Sequence, residues 1–265
     1  MAAAPDPDKD FPWWLVLVGA GMAVLFWRVV ADDLYATVLA TLAKGIGITL
    51  FVTGVAFSGA AALGMLLALA SLSRSLILRQ LARLYIEVVR GVPVLVLLLY
   101  VAFVFAPALV ALWNWAGSFV GAEAVRTRDF SMLWRAILAL TIGYSAFIAE
   151  VFRAGLQAVD RGQIEAANAL GLGRWLRFRL VVFPQALRTI LPPLGNDFVA
   201  MVKDSSLVSV LGVLDITQLG KLTAAGNFRY FETYNVVALL YLSLTITLSL
   251  ALRRIERRLR LPGQR

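Results

Sequence analysis

The chain has 265 residues, 60% of them hydrophobic and only 15% charged, with a mean hydropathy of +0.81 and a formal net charge of +9. Soluble chains carry about 25% charged residues, so this composition belongs to an integral membrane protein. Cysteine and histidine are both absent, which excludes disulfides, thiol nucleophiles, CxxC redox pairs, imidazole bases and histidine-held zinc or haem.

A bilayer core of about 30 Å takes about 20 apolar residues of helix. In chain order, the uncharged stretches 11–27, 45–73, 91–122 and 233–252 each meet that length or approach it. A further span is expected over 132–153, with Arg135 near one end and Glu150 near the other. Another is expected over 192–214, interrupted by Asn196, Asp197, Lys203 and Asp204. The expectation is an all-α polytopic fold of six transmembrane helices. Helix 45–73 carries two small-residue stripes, Gly54, Ser58, Ala62 and Ala60, Gly64, Ala68, at the spacing that lets helix backbones approach closely.

Short loops rich in arginine stay in the cytoplasm. The segments between 74 and 90, between 153 and 188, and after 252 are each net positive, and together they exceed the whole net charge of the chain. The opposite loops are nearly neutral, so both termini are expected inside. The N-terminus dissents, because Asp6, Asp8 and Asp10 outweigh Lys9, but negative charge orients weakly. An acidic start also argues against a cleaved signal peptide. The basic charge reads as topological, with no nucleic acid as partner.

The cytoplasmic segment 160–171, Asp-Arg-Gly-Gln-Ile-Glu-Ala-Ala-Asn-Ala-Leu-Gly, reads as a complete short helix. Asp160 caps it, Gln163 reaches back, and Gly171 supplies a left-handed terminator. Ala166, Ala167 and Ala169 leave a smooth knob with Glu165 at its rim, suited to a partner's groove or simply solvated. Residues 174–184 alternate basic and apolar side chains and are expected to lie along the inner membrane surface.

Here the chain resembles a known family. Glu165-Ala166-Ala167, then Gly171, Val181 and Phe183-Pro184, is similar to the EAA loop of ABC importer permeases, with Val and Phe where Ile and Leu are usual. The stretches 85–93, 143–155 and 194–207 resemble the polar amino acid branch of that family. The resemblance covers roughly residues 44–258.

It implies a permease domain over 45–258, with a coupling loop over 157–188. Residues 1–44 add a tail, an extra helix and an extracytoplasmic segment, and 259–265 form a cytoplasmic tail. It further implies a second permease subunit, the same or different, two cytoplasmic ATPase subunits and an extracytoplasmic substrate-binding protein. Gln163, Glu165, Ala166, Ala167, Asn168, Leu170 and Gly171 would form the coupling helix. The chain lacks a GxxxxGK[ST] phosphate loop, so it is not expected to be an enzyme or to bind a cofactor; ATP and Mg belong on the partner ATPases.

Charges inside a membrane are costly and face cavities or partners. Asn196 and Lys203 are seven apart, as are Asp197 and Asp204, so each pair shares a helix face. For a zwitterionic substrate the carboxylates suit an α-amino group and the cation an α-carboxylate. The competing reading is an internal pair of Lys203 with Asp204 or Asp197. Ser205 and Ser206 can satisfy freed backbone groups. Glu150 shares a face with Gly143 and Ala146, so it is either an amine ligand in a small-residue hollow or the partner of Arg153. Thr141 and Tyr144 are candidate hydroxyl contacts. Glu87 and Arg90 read as a solvated pair or a gate. The rival functions are a proton-coupled secondary amino acid transporter relaying through Asp197, Lys203 and Asp204, a passive channel, and a Ser-Lys enzyme, the last opposed by the poor geometry of Lys203 with Ser205 on one helix.

Overall fold

The computed structural model describes residues 13–259; the acidic leader and the last arginines, Arg260 and Arg265, lie outside the described residues. Among the described residues every regular element is helical. Helix α1 (Trp13–Ala31) turns into α2 (Asp33–Ser71) through Asp32, whose carboxylate accepts the Leu34 N–H at 2.9 Å.

At 39 residues, α2 is about 58 Å long, nearly twice the thickness of a bilayer core. The expected boundary at residue 44 therefore falls inside a helix, and 33–44 is no loop. Tyr35, Val38 and Leu42 extend the helix because their spacing buries one face against Ile216, Val236 and Leu239. Further along, Ala60, Gly64 and Ala68 are buried, and Gly64 lies against the backbone of Ser145 and Ala149. The other small-residue stripe is not used in this way: Ser58 and Ala62 are exposed, and Gly54 has open space beside it.

Helix α3 (Leu76–Gly91) buries Ala82, Ile86 and Val89 and is pinned by the Tyr85 hydroxyl, 3.1 Å from the Ile142 carbonyl and 2.9 Å from Ser145 Oγ. Arg90 stacks over the Phe147 ring at 5.5 Å instead of pairing with Glu87. Pro93 ends the helix by forcing Val92 into an extended conformation.

The next span is α4 (Val94–Tyr100), a π turn (Val101–Phe105) and α5 (Ala106–Ser118) in one continuous rod. Pro107 explains the π turn. It has no N–H to donate, and Ala106 N–H reaches back to Val101, so the Ala102 carbonyl is left without a helical partner. Arg135 supplies one, donating from Nη1 at 3.0 Å. The same guanidinium donates to Phe130 and Thr127 carbonyls and is only 5% exposed. A charged residue that the sequence places at the edge of a span thus ties that span to its neighbour.

Helix α6 (Met132–Gln157) is the central post, with α2, α3 and α9 packed on it. Next come α7 (Arg161–Ala169) and α8 (Arg174–Arg177), then a second π turn (Phe178–Val182) and α9 (Phe183–Asp204). Pro184 stands where Pro107 does relative to the first π turn. The expected span over 192–214 is corrected here. The helix starts well before residue 192, stops at Asp204, and gives way to a 3₁₀ turn (Ser205–Leu211) closed by Gly212 at φ 76°. Ser205 donates to the Val202 carbonyl at 2.7 Å, satisfying the helix end.

Helices α10 (Ile216–Asn227) and α11 (Tyr230–Leu259) complete the bundle. Among the described residues, four helical segments are long and apolar enough to cross a membrane: α2, Val94–Ser118, α6 and Tyr230–Ile255. A shorter apolar stretch, Val16–Arg28, lies in α1. Helix α9 falls outside this group because its second half carries Asn196, Asp197, Lys203 and Asp204.

Candidate functional site

The seven-residue spacing on α9 sorts its polar residues as the helical period requires. Asn196 and Lys203 are exposed, whereas Asp197 and Asp204 are turned half inward toward the bundle. There the Tyr144 hydroxyl, from α6, donates to Asp204 Oδ2 at 2.7 Å, and Tyr144 itself is 6% exposed. Asp197 lies within electrostatic range of the same hydroxyl, and its Oδ2 is buried without a hydrogen-bond partner. A buried carboxylate oxygen lacking a donor is costly, so this position favours an incoming N–H or cation. Phe198, next to Asp197 in the chain, meets Phe57 of α2 edge-to-face at 5.0 Å.

Lys203 forms no ion pair with Asp197 or Asp204; among the described residues the ion pairs are Arg153 with Glu150 and Arg229 with Glu232. Ser205 is buried and spends its hydroxyl on the helix end. Thr141 faces α2, donating to the Ala56 carbonyl at 3.3 Å and touching Gly59. Glu150 stands apart from the cluster. Its expected hollow is filled, because Leu97 packs over Gly143 and Ala146 is fully buried. Its carboxylate holds Arg153 at 2.5 Å, and Arg153 also donates to Gln157 at 2.8 Å.

Sequence reasoning missed Asp215. It follows directly on the expected span over 192–214 and is fully buried. It caps α10 by accepting the Gln218 N–H at 2.8 Å, and it accepts the Tyr241 hydroxyl at 3.0 Å. Asp followed three residues later by Gln was the available signal. Gly45 of α2 meets this cap so closely that a Cβ there would sit 2.5 Å from the Ile216 nitrogen.

The second feature is α7, which projects from the bundle. Asp160 caps it by accepting the Gln163 N–H at 3.3 Å, and Gly171 closes it at φ 73°. Ile164 and Ala167 face inward, while Gln163, Glu165, Ala166, Asn168 and Leu170 are exposed, Leu170 to 79%. Asn168 accepts a hydrogen bond from Arg177, which fastens α7 to the helical run from Arg174 to Asp204. That run carries exposed aromatic and basic side chains at its start, Trp175 stacking on Phe178 at 6.2 Å. It ends at the carboxylate that Tyr144 contacts, so one rod joins the protruding helix to the polar cluster.

Residues 60–261 match the family of binding-protein-dependent transport system inner membrane components. The chain is 36% identical over 220 residues to the glutamine transport system permease protein GlnP of Escherichia coli, covering 83% of this chain and 93% of that one. It is also 36% identical over 222 residues to the probable amino-acid permease protein YxeN of Bacillus subtilis, covering 84% and 92%. Among solved structures, an amino acid ABC transporter with histidines superimposes with a TM-score of 0.69 at 36% identity, over 83% of this chain and 94% of that one. The inward-facing MetNI methionine ABC transporter shares the fold, with a TM-score of 0.63 at 23% identity over 83% and 96%. The chain therefore belongs to the binding-protein-dependent transport system inner membrane components: it is the membrane-embedded, non-catalytic permease subunit of an ABC importer, whose ATPase is a separate subunit.

Proposed function

We propose that this permease passes polar amino acids inward by alternating access, with the Tyr144, Asp197 and Asp204 cluster on the path. The carboxylates would take the α-amino group, and exposed Lys203 or Asn196 would meet the carboxylate of the substrate. The observation that carries this reading is the continuous rod from the exposed α7 knob to Asp204, a mechanical link between a docking helix and a polar site. Relatives named for glutamine and amino acid transport support the substrate class.

In this reading α7 docks on one of two ATPase subunits, which alone hold ATP and Mg; this chain holds no cofactor. A second permease subunit completes the membrane unit, and an extracytoplasmic binding protein delivers the substrate. The arginine-rich segments and both termini face the cytoplasm. Kinship with ABC permeases favours this scheme over a proton-coupled transporter. Uptake into proteoliposomes with ATP enclosed is the test. Transport should need ATP and survive an uncoupler; loss of uptake with the uncoupler at constant ATP would overturn it.

A further inference from the structure

Thr247, Leu250, Ala251 and Arg254 follow the i, i+3, i+4, i+7 rule and form one face of α11 near its basic end. With Arg253 at the rim, they line a hollow of about 550 Å³. Leu252, lying between them in sequence, turns the other way onto Gly195 of α9, and among the described residues Thr247, Leu250, Ala251 and Arg254 are exposed. Both arginines are exposed, and neither forms an ion pair among the described residues. Thr247 has its proton committed to the Ser243 carbonyl at 2.7 Å. The face thus runs from apolar Leu250 and Ala251 to two unneutralised guanidinium groups at the end of a membrane-crossing helix.

We infer that this hollow binds an anionic phospholipid, its phosphate between Arg253 and Arg254 and the start of its acyl chain along Leu250 and Ala251. Charge complementarity selects the occupant. Two cations beside an apolar strip, at the end of a helix long and apolar enough to cross a membrane, match a ligand that carries a phosphate and a hydrocarbon tail together. A soluble anion would leave the apolar half of the hollow empty, and a zwitterionic lipid would set its own cation against the arginines.

The lipid site is independent of the transport reading and is tested without uptake, so the two fail separately. The full-length chain, purified in its assembled complex, is placed in nanodiscs of equal phosphatidylglycerol and phosphatidylcholine, and retained lipid is counted by native mass spectrometry. Wild type should keep phosphatidylglycerol in preference. R253Q/R254Q should bind it about 25-fold more weakly, equivalent to about 2 kcal/mol for two basic residues at a lipid surface. R253K/R254K should stay near wild type, and R74Q/R83Q, removing equal charge from an exposed stretch elsewhere, should change nothing. A251W fills the hollow while sparing both arginines and should also lose the lipid, which keeps the test alive if the glutamine pair misfolds. Retention by A251W, or equal loss in R74Q/R83Q, would overturn the site.

Discussion

Gly45→Ala tests the packing of the bundle where the backbone of α2 meets that of α10. An added Cβ would lie 2.5 Å from the Ile216 nitrogen, 2.7 Å from the Asp215 carbonyl carbon and 2.8 Å from the Ile216 Cα. All three are backbone atoms, so no rotamer change relieves the clash, and α2 must separate from the start of α10. That movement also stretches the 3.5 Å contact from Ile216 N–H to Thr49 Oγ1. Overpacking costs about 1–3 kcal/mol, and rigid backbone on both sides puts this case at the upper end. For a chain of this size about 3 kcal/mol lowers the melting temperature by about 6–12 °C. The control is Gly47→Ala, two residues along the same helix with open space around it. There alanine should hold or slightly raise stability, since glycine costs about 0.5–1 kcal/mol inside a helix. Thermal unfolding of both variants in the same detergent decides the matter. Equal melting temperatures would refute the close approach of α2 and α10.

Four further outcomes are expected. Glu165→Lys or Gly171→Trp should leave the bundle folded but detach or uncouple the ATPase, checked by co-purification and ATP-driven uptake; survival of both would remove α7 as the docking helix. Tyr144→Phe deletes a hydrogen bond to a carboxylate worth about 1.5–3 kcal/mol, so uptake should fall at least about 10-fold while assembly stays intact. Glu150→Gln should weaken the hold on Arg153; a substrate profile that stays unchanged assigns Glu150 to structure, and one that shifts assigns it to the path. Arg135→Gln should leave buried carbonyls near the π turn without donors and cost roughly 3 kcal/mol, read as lost thermal stability.

What could be read from the sequence followed the strength of its local signals. The α7 helix was legible because Asp160 and Gly171 are unambiguous cap residues, and both adopt the cap geometry expected of them. The sorting of Asn196 and Lys203 from Asp197 and Asp204 followed from helical period alone. The span over 192–214 was misplaced because apolar content outweighed the breakers within it. Ser205 and Gly212 end the helix and reverse the chain, while Pro184 starts it without stopping the rod behind. The length of α2 was hidden because Lys44 reads as the edge of a loop, and only long-range packing of Tyr35, Val38 and Leu42 continues the helix past it. The reach of Arg135 to the Ala102 carbonyl and of Asp215 to the Tyr241 hydroxyl joins residues distant in sequence, which no local pattern encodes.

The span of α2 turns small rotations into large excursions. Held by α6 along its second half and by α10 and α11 along its first, it resembles a beam built in at both ends, and its neighbours must turn with it. A tilt of about 10° over its roughly 58 Å displaces the Asp33 end by about 10 Å relative to the Ser71 end, without any bond in the helix being broken.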